Sequence, residues 1–357
     1  RFLRVVELRN ECARMLGYES HAEYMLKPKM AGTPARAEAF LRDLLVKAEG
    51  RLAKDLADLQ RLKDAEEGAD AGTIQSWDVA YYSTKYKATL GVDEAKIREY
   101  FPLEHVKSEI LSTYQNLLGL EFTRVDAEVW HEEVECYSVR EADGDRRVLG
   151  FFYLDLFPRP GKYSHQCVYP LRPSFTDGDD VTTAACVNIG NLSKPGEDGA
   201  PALLRFREVE TFFHEFGHVM HCVLSESKYS VHAWAWSAVP WPGGVEQDFL
   251  EVPSMMLENF VWQPEVLRRL SKHHVTGERL GDDDIAALSA SRGALEGYAR
   301  SRFISMALFD LAVHGGPGPY EFKGKTYETV EFYNVITAEL SKVPSVEGAF
   351  PGASWYH

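Results

Sequence analysis

The chain has 357 residues, of which 45% are hydrophobic and 12% aromatic, and its formal net charge is −15. This length and composition are typical of a globular protein with a substantial core, built as one large domain or two ordinary ones. The acidic balance argues against nucleic acid or an anionic membrane surface as a partner, because both bind basic surfaces. We therefore expect neither nucleic acid nor a membrane among its partners.

The cysteines and the apolar stretches bear on the compartment. The five cysteines form no CxxC pair, which favours free thiols in a reducing environment. No apolar stretch approaches the ~20 residues that a membrane span needs. We expect a cytoplasmic protein, with a mitochondrial location as the alternative, and the sequence does not indicate an oligomeric state. The chain starts without Met and within a helical pattern, so we also expect a fragment.

The first part of the chain, to about residue 118, is predicted to be helical. Thr33 and Pro34 form a helix start signal, after which leucines recur at intervals of three and four residues. A turn-rich segment from Gly68 to Gly72 ends this helix, and two further helical runs are separated at Pro102. No internal repeat or low-complexity linker interrupts the pattern.

The pattern changes between about residues 120 and 192. "VECYSVR" and "RRVLGFFYLDLF" are rich in aromatic and branched residues, and the Asp-Gly pair between them predicts a β-hairpin. A Pro- and Gly-containing loop and a small-residue strand candidate, "VTTAACVNIGN", follow. Helical periodicity returns at Leu203 and is predicted to persist to about Leu340. We expect a mainly α fold with one small sheet, divided into regions 1–125 (helical), 126–200 (sheet) and 201–357 (helical and catalytic).

The stretch "VETFFHEFGHVMHCVL" places polar residues in an otherwise apolar helix. Residues four apart lie on one helical face, so His214 and His218 can bind one metal ion. Glu215 lies roughly 100° around the helix, beside the metal and not on it. This HExxH arrangement predicts a zinc site of one ion per chain with Glu215 as the base that activates water. The alternative is a core helix whose histidines are four apart by chance. His221 lies on a neighbouring face and is left out of the metal shell.

A third protein ligand is expected on a later helix. The pattern HExxHxxGxxH fails because position 224 is Leu. The segment "QDFLEVPSMMLENFVW" is predicted to be an amphipathic helix, with its proline in the first turn. Glu251 and Glu258 are two turns apart and share a face. We assign Glu251 as the third ligand and Glu258 as an acceptor that orients a ligand imidazole. Two solvated surface glutamates are the alternative.

These motifs resemble the thimet oligopeptidase and neurolysin family of zinc oligopeptidases. The resemblance is carried by "FFHEFGHVMH" and "DFLEVPSMMLEN" and extends to "WDVAYYSTKY", "YFPLEHV", "FYLDLFPRPGKYSH" and "NLSKP" in the same order. It implies a zincin-like, two-lobed enzyme with a deep channel that cuts short peptides and excludes folded proteins. It also implies that the strand near Ala184 to Ile189 lies beside the metal. That strand is either an exposed edge that pairs with substrate or a buried structural strand.

The resemblance also suggests substrate contacts and marks two departures. His357 matches a substrate-binding histidine of the family, and His165 is a second candidate contact, with a structural loop histidine as the alternative. The link between the metal helix and the Glu251 helix is longer than usual, and its Trp-rich part, residues 231–244, lines the channel or packs on the protein body. The tyrosine-rich loop that follows the His357 position in the family, and supports the oxyanion there, lies beyond the last residue.

The sequence leaves three hypotheses for the function. The first is a zinc endopeptidase that hydrolyses internal bonds of short peptides, with Glu215 as base and His357 supporting the oxyanion. The second is a dipeptidyl carboxypeptidase of the same family. The third is a zinc-bound peptide-binding fragment without turnover. A purely structural helical protein would bind no stoichiometric metal.

Overall fold

Helices form most of the computed structural model, which describes residues 1–68, 70–143, 147–178, 180–196, 199–233, 244–349 and 351–354. The α-helices are α1 (Phe2–Met15), α2 (His21–Leu26), α3 (Pro34–Glu67), α4 (Ser76–Thr89), α5 (Glu94–Arg98), α6 (Leu103–Leu118), α7 (Phe206–Leu224), α8 (Glu251–Glu258), α9 (Pro264–Leu270), α10 (Asp282–Ser291), α11 (Glu296–Gly315) and α12 (Thr329–Ser341). Short 3₁₀ turns cover Ser230–His232, Asn259–Trp262 and Pro351–Ser354. The mainly helical prediction is confirmed.

The strands form one five-stranded sheet and two hairpins. They are β1 (Leu120–Val125), β2 (Glu135–Glu141), β3 (Val148–Asp155), β4 (Cys167–Arg172), β5 (Phe175–Asp177), β6 (Asp180–Thr182), β7 (Ala184–Ile189), β8 (Tyr320–Phe322) and β9 (Lys325–Tyr327). The helical prediction is wrong over β8 and β9. There Lys323 and Gly324, with φ of 50° and 74°, form a tight turn of the kind that matches the twist of a hairpin.

The chain divides into two units, Arg1–Val92 with Ala290–His357, and Asp93–Ser289. In the first unit, α11 and α12 carry aromatic side chains that pack together, with the rings of Phe309 and Tyr333 5.0 Å apart. Helix α3 of this unit begins as predicted, since the Thr33 side chain accepts from the Arg36 N–H at 3.3 Å and Pro34 occupies the first turn. The sequence-based division at residues 125 and 200 stays a prediction.

The five-stranded sheet belongs to the second unit and has the order β1-β2-β3-β7-β4. Neighbouring strands are antiparallel except for the parallel pair β3 and β7. Strand β7 therefore lies inside the sheet, and Ala184 and Cys186 on it are fully buried. Of the two sequence-based interpretations of this strand, the exposed substrate-pairing edge is wrong and the buried structural strand is confirmed. The strand at this edge of the sheet is β4.

Helix α7 packs its aromatic side against the sheet and α6. The Phe216 ring lies edge-on to Phe152 of β3 at 5.2 Å and to Tyr114 of α6 at 4.9 Å. The Tyr114 hydroxyl donates to the Phe213 carbonyl at 2.7 Å. These buried contacts leave the opposite, polar side of α7 for the histidines. Among the described residues, no helix is both long and apolar enough to cross a bilayer.

Candidate metal centre

Two imidazoles and one carboxylate meet between α7 and α8. His214 and His218 are one turn apart on α7, with ring centroids 5.0 Å from each other. Glu251 Oε2, at the start of α8, lies 3.2 Å from His214 Nε2 and 3.1 Å from His218 Nε2. Within the described ranges, these three residues are the group whose donor atoms all lie within 4.8 Å of one another. His221 is not part of this group.

The geometry and the donor types fit zinc. Ligands bonded tetrahedrally at the usual Zn–N and Zn–O lengths lie about 3.3 Å from one another, close to the separations of Glu251 Oε2 from the two imidazole nitrogens. Two imidazoles with one carboxylate are a donor set that zinc uses in catalytic sites, where the fourth position is left open. The residues present therefore suit this metal.

Glu258 holds the His214 ring. The His214 Nδ1–H donates to Glu258 Oε2 at 3.0 Å, which leaves Nε2 of the same ring free to face Glu251. This is the orienting contact expected from the two-turn spacing of Glu251 and Glu258. The helix itself is shorter than predicted, since residues 247–250 form a turn and α8 starts at Glu251. Pro253 thus falls in the first turn, where its missing N–H leaves no helical carbonyl without a donor.

Burial and charge set the protonation of the metal-free site. Burial raises the pKa of Glu215 to about 7, and the negative charge of Glu251 acts in the same direction. Burial lowers the pKa of His218 to about 4. Burial also acts to lower the pKa of His214, but the hydrogen bond to Glu258 and the nearby carboxylates outweigh it and raise that pKa. A cation placed here would favour the ionised carboxylates and the neutral imidazoles.

Glu215 lies close to the group formed by His214, His218 and Glu251 and to the edge strand β4. Its side chain is largely buried, and the Val168 backbone N–H of β4 is close enough to its carboxylate to act to lower its pKa. Its Oε2 atom has no hydrogen-bond partner among the described residues. A buried carboxylate oxygen without a donor is costly unless it meets a cation or a reacting group. Burial raises the pKa of the Cys167 thiol, next to Val168, and the nearby charge of Glu215 acts in the same direction.

Gly217 lets α7 and α8 approach closely. A Cβ atom at this position would lie 2.9 Å from the Ser254 Cα, closer than real Cβ contacts. The contact is with backbone, so a side chain could be accommodated only if the two helices moved apart. Because α7 carries the imidazoles and α8 carries Glu251, this contact sets the distance between the two imidazoles and the Glu251 carboxylate.

We expect Gly217→Ala to lower the free energy of unfolding by about 1–3 kcal/mol, as for an overpacked core, and to weaken zinc binding. The measurements are denaturant unfolding of the metal-free chain and zinc affinity by chelator competition. Gly50→Ala is the matched control, because Gly50 is also helical and its Cβ would meet nothing within 4 Å. Equal unfolding free energies for Gly217→Ala and wild type would contradict the close packing of α7 on α8.

The loop between β3 and β4, residues 156–166, is anchored by a buried cluster of charges. The Asp155 carboxylate accepts from the two terminal guanidinium nitrogens of Arg159, Nη1 and Nη2, at 2.6 and 2.7 Å, and from the Trp130 indole N–H at 2.9 Å. Lys162 pairs with the same carboxylate at 2.8 Å and donates to the Phe157 carbonyl at 2.6 Å. Burial acts to raise the pKa of Asp155, but these donors outweigh it and hold the pKa well below its usual range.

The remaining candidate residues have different positions. His165, at the end of this loop, is exposed and lies beside the Tyr163 ring at 5.4 Å, while its carbonyl accepts from the Asn191 side chain at 3.2 Å. His357 and the tryptophans of the 231–244 segment lie outside the described residues.

The structure also adds two groups that the sequence does not predict, the Val168 N–H and the Ser254 hydroxyl. Ser254 follows Glu251 by three residues, so helical spacing alone would have placed it on the same face.

With this geometry in place, comparison with known proteins decides the family. The sequence profile described as Peptidase family M3 matches residues 1–354. The chain belongs to peptidase family M3. The similarity to thimet oligopeptidase inferred from the motifs is thereby confirmed.

Several curated relatives cover most of the chain. A thimet-like oligopeptidase of Dictyostelium discoideum is 34% identical over 364 residues, which span 98% of this chain and 52% of the relative. Saccharolysin of Saccharomyces cerevisiae is 36% identical over 326 residues, spanning 87% and 44%. A dipeptidyl carboxypeptidase of Salmonella typhimurium is 30% identical over 314 residues, spanning 87% and 44%. The M3 chain described here thus spans about half the length of the curated relatives it matches.

Proposed function

We propose that this M3 chain is the zinc-binding catalytic part of an endopeptidase that hydrolyses internal bonds of short oligopeptides. The observation that carries the proposal is the convergence of His214, His218 and Glu251 on one point, with the Glu215 carboxylate beside it. His214, His218 and Glu251 would hold one zinc ion. Zinc bound there would polarise the scissile carbonyl and acidify the attacking water.

The protein's own groups supply the proton transfers. Glu215 accepts the proton of the attacking water and passes it to the leaving amine. A carboxylate can accept and then donate a proton near neutral pH when its pKa lies close to that pH. Burial raises the pKa of Glu215 towards this range. Glu258 keeps the His214 ring in place through its Nδ1–H. His357 is proposed to support the oxyanion, and His165 is proposed to contact the peptide.

The substrate is proposed to lie along β4. No described strand pairs with the outer edge of β4, and the Val168 N–H on this strand contacts Glu215. Tyr169 and Leu171 of β4 are exposed, whereas Val168 and Pro170 are buried. An extended peptide added beside this edge would bring its scissile bond to the base by main-chain pairing. The two-lobed channel architecture also remains a proposal.

The dipeptidyl carboxypeptidase among the relatives makes exopeptidase action a second candidate. It predicts release of dipeptides from a free C-terminus, whereas the endopeptidase cuts internal bonds and tolerates a blocked C-terminus.

We propose a reducing compartment, the cytoplasm or the mitochondrion, because all five cysteines are free. Relatives described as cytosolic and organellar oligopeptidases are consistent with either.

The function is tested by zinc content and by hydrolysis of internally quenched peptides with free and amidated C-termini. We expect one zinc per chain, loss of hydrolysis on chelation and recovery on adding zinc, with product masses that show internal cuts. Dipeptide products from the free C-terminus alone would establish the second candidate. Bound zinc with peptide affinity but no turnover would leave a silent binding fragment, and absence of stoichiometric zinc would overturn the metal site.

A further inference from the structure

Glu251 needs help to stay in position. Its side chain is 50% exposed, whereas His218 beside it is 2% exposed. A half-exposed glutamate has several accessible rotamers, and fixing one of them costs side-chain entropy. Only the rotamers that place Oε2 between the imidazoles of His214 and His218 complete the proposed zinc-ligand group.

The Ser254 hydroxyl contacts the same oxygen that faces the imidazoles. Its Oγ lies 2.8 Å from Glu251 Oε2 and 3.0 Å from the Glu251 backbone carbonyl. A hydroxyl has one proton to donate, and the charged carboxylate is the stronger acceptor. A carboxylate oxygen has two lone pairs, so Oε2 can accept this bond and still bind a metal.

Ser254 is itself held rigidly. It is fully buried, and its Cα is the atom that approaches Gly217 of α7. The donor is therefore fixed to the helix that carries His214 and His218, not only to its own helix. Because the Ser254 hydroxyl is held where α8 contacts α7, its bond to Glu251 Oε2 fixes the half-exposed carboxylate relative to the imidazoles of α7.

We propose that Ser254 is a positioning residue that holds Glu251 Oε2 in place for the metal. It acts through Glu251 and touches no reacting atom. The inference rests on the proposed zinc function, and it assigns the hydroxyl a role beyond the common bond from a helical serine to an earlier carbonyl. That ordinary structural role is the alternative to be separated by experiment.

The test compares zinc affinity with metal-free stability in Ser254→Ala. We expect the dissociation constant for zinc, measured by competition with a chelator, to rise about 10–100-fold. The melting temperature of the metal-free protein should change little, because alanine removes only the hydroxyl and is a better helix former. Ser305→Ala is the matched control. Ser305 is also fully buried in a helix and donates to the carbonyl three residues earlier, at 2.6 Å, and it has no carboxylate partner in the described part of the chain.

A double-mutant cycle completes the design. In a Glu251→Gln background, adding Ser254→Ala should leave the already weakened zinc affinity unchanged, because the group being positioned is gone. Wild-type zinc affinity in Ser254→Ala, or an equal effect of that substitution in both backgrounds, would overturn the inference and leave the zinc site intact. Lack of zinc binding by the wild-type chain would instead overturn the proposed function.

Discussion

Glu215→Gln is expected to reduce peptide hydrolysis by about 10²–10⁴-fold, the usual contribution of a general base, while zinc affinity stays near that of the wild type. Glutamine keeps the size of the side chain and its contact with the Val168 N–H, but an amide cannot accept the proton of the attacking water. The loss should appear in kcat and less in KM, because the base acts in the transition state. The measurements are steady-state hydrolysis of a quenched peptide and zinc affinity by chelator competition.

Glu226→Gln is the matched control for this experiment. This substitution makes the same change of side chain beyond the end of α7, where Glu226 forms an exposed ion pair with Arg147 at 3.0 Å. Its rate should stay within about twofold of wild type, since exposed pairs contribute ~0–1 kcal/mol. Equal rates for Glu215→Gln and wild type would exclude Glu215 as the base and leave the proposed zinc ligands unaffected.

The second large effect is expected at Asp155. Asp155→Asn should lower the free energy of unfolding at pH 7 by about 3–5 kcal/mol, because it leaves buried cationic partners without their counter-charge. The Asp155 and Lys162 side chains are 5% and 4% exposed. Since the cluster anchors the loop that contains His165, increased hydrogen exchange should accompany the loss in residues 156–166. Chemical unfolding measures the first effect and mass spectrometry the second.

The effect of Asp155→Asn should depend on pH with a definite sign. The pKa of Asp155 is lower in the folded than in the unfolded chain, so the carboxylate contributes its full stabilisation above the unfolded pKa of about 3.9 and loses it as pH falls towards the folded value. The difference between wild type and variant should therefore be constant from pH 7 to about 5 and shrink below about pH 4. Glu226→Gln, in an exposed pair, should change stability little at any of these pH values. A difference that grows on acidification would contradict the charge cluster.

The local chemistry of the site follows from the sequence because helical geometry is local. The spacing of His214 and His218 fixes both imidazoles on one face of α7, and the spacing of Glu251 and Glu258 does the same for α8. The apolar residues of a helix determine which of its faces is buried in the core. The aromatic residues of α7 are therefore expected on the face opposite the histidines. The hairpin β8–β9 was missed because a short Gly-containing turn carries little signal within a mostly helical region.

The order of residues along the chain is enough to identify the chemical groups of the site, the helices that carry them and the family. Packing in three dimensions selects which of them meet: β7 lies inside the sheet and β4 at its edge, Gly217 brings Ser254 against α7, and the Trp130 indole reaches Asp155. Strand order and helix contacts depend on pairings between residues far apart in the chain. Many arrangements satisfy the same local periodicity, and the choice among them is made by packing of the whole core.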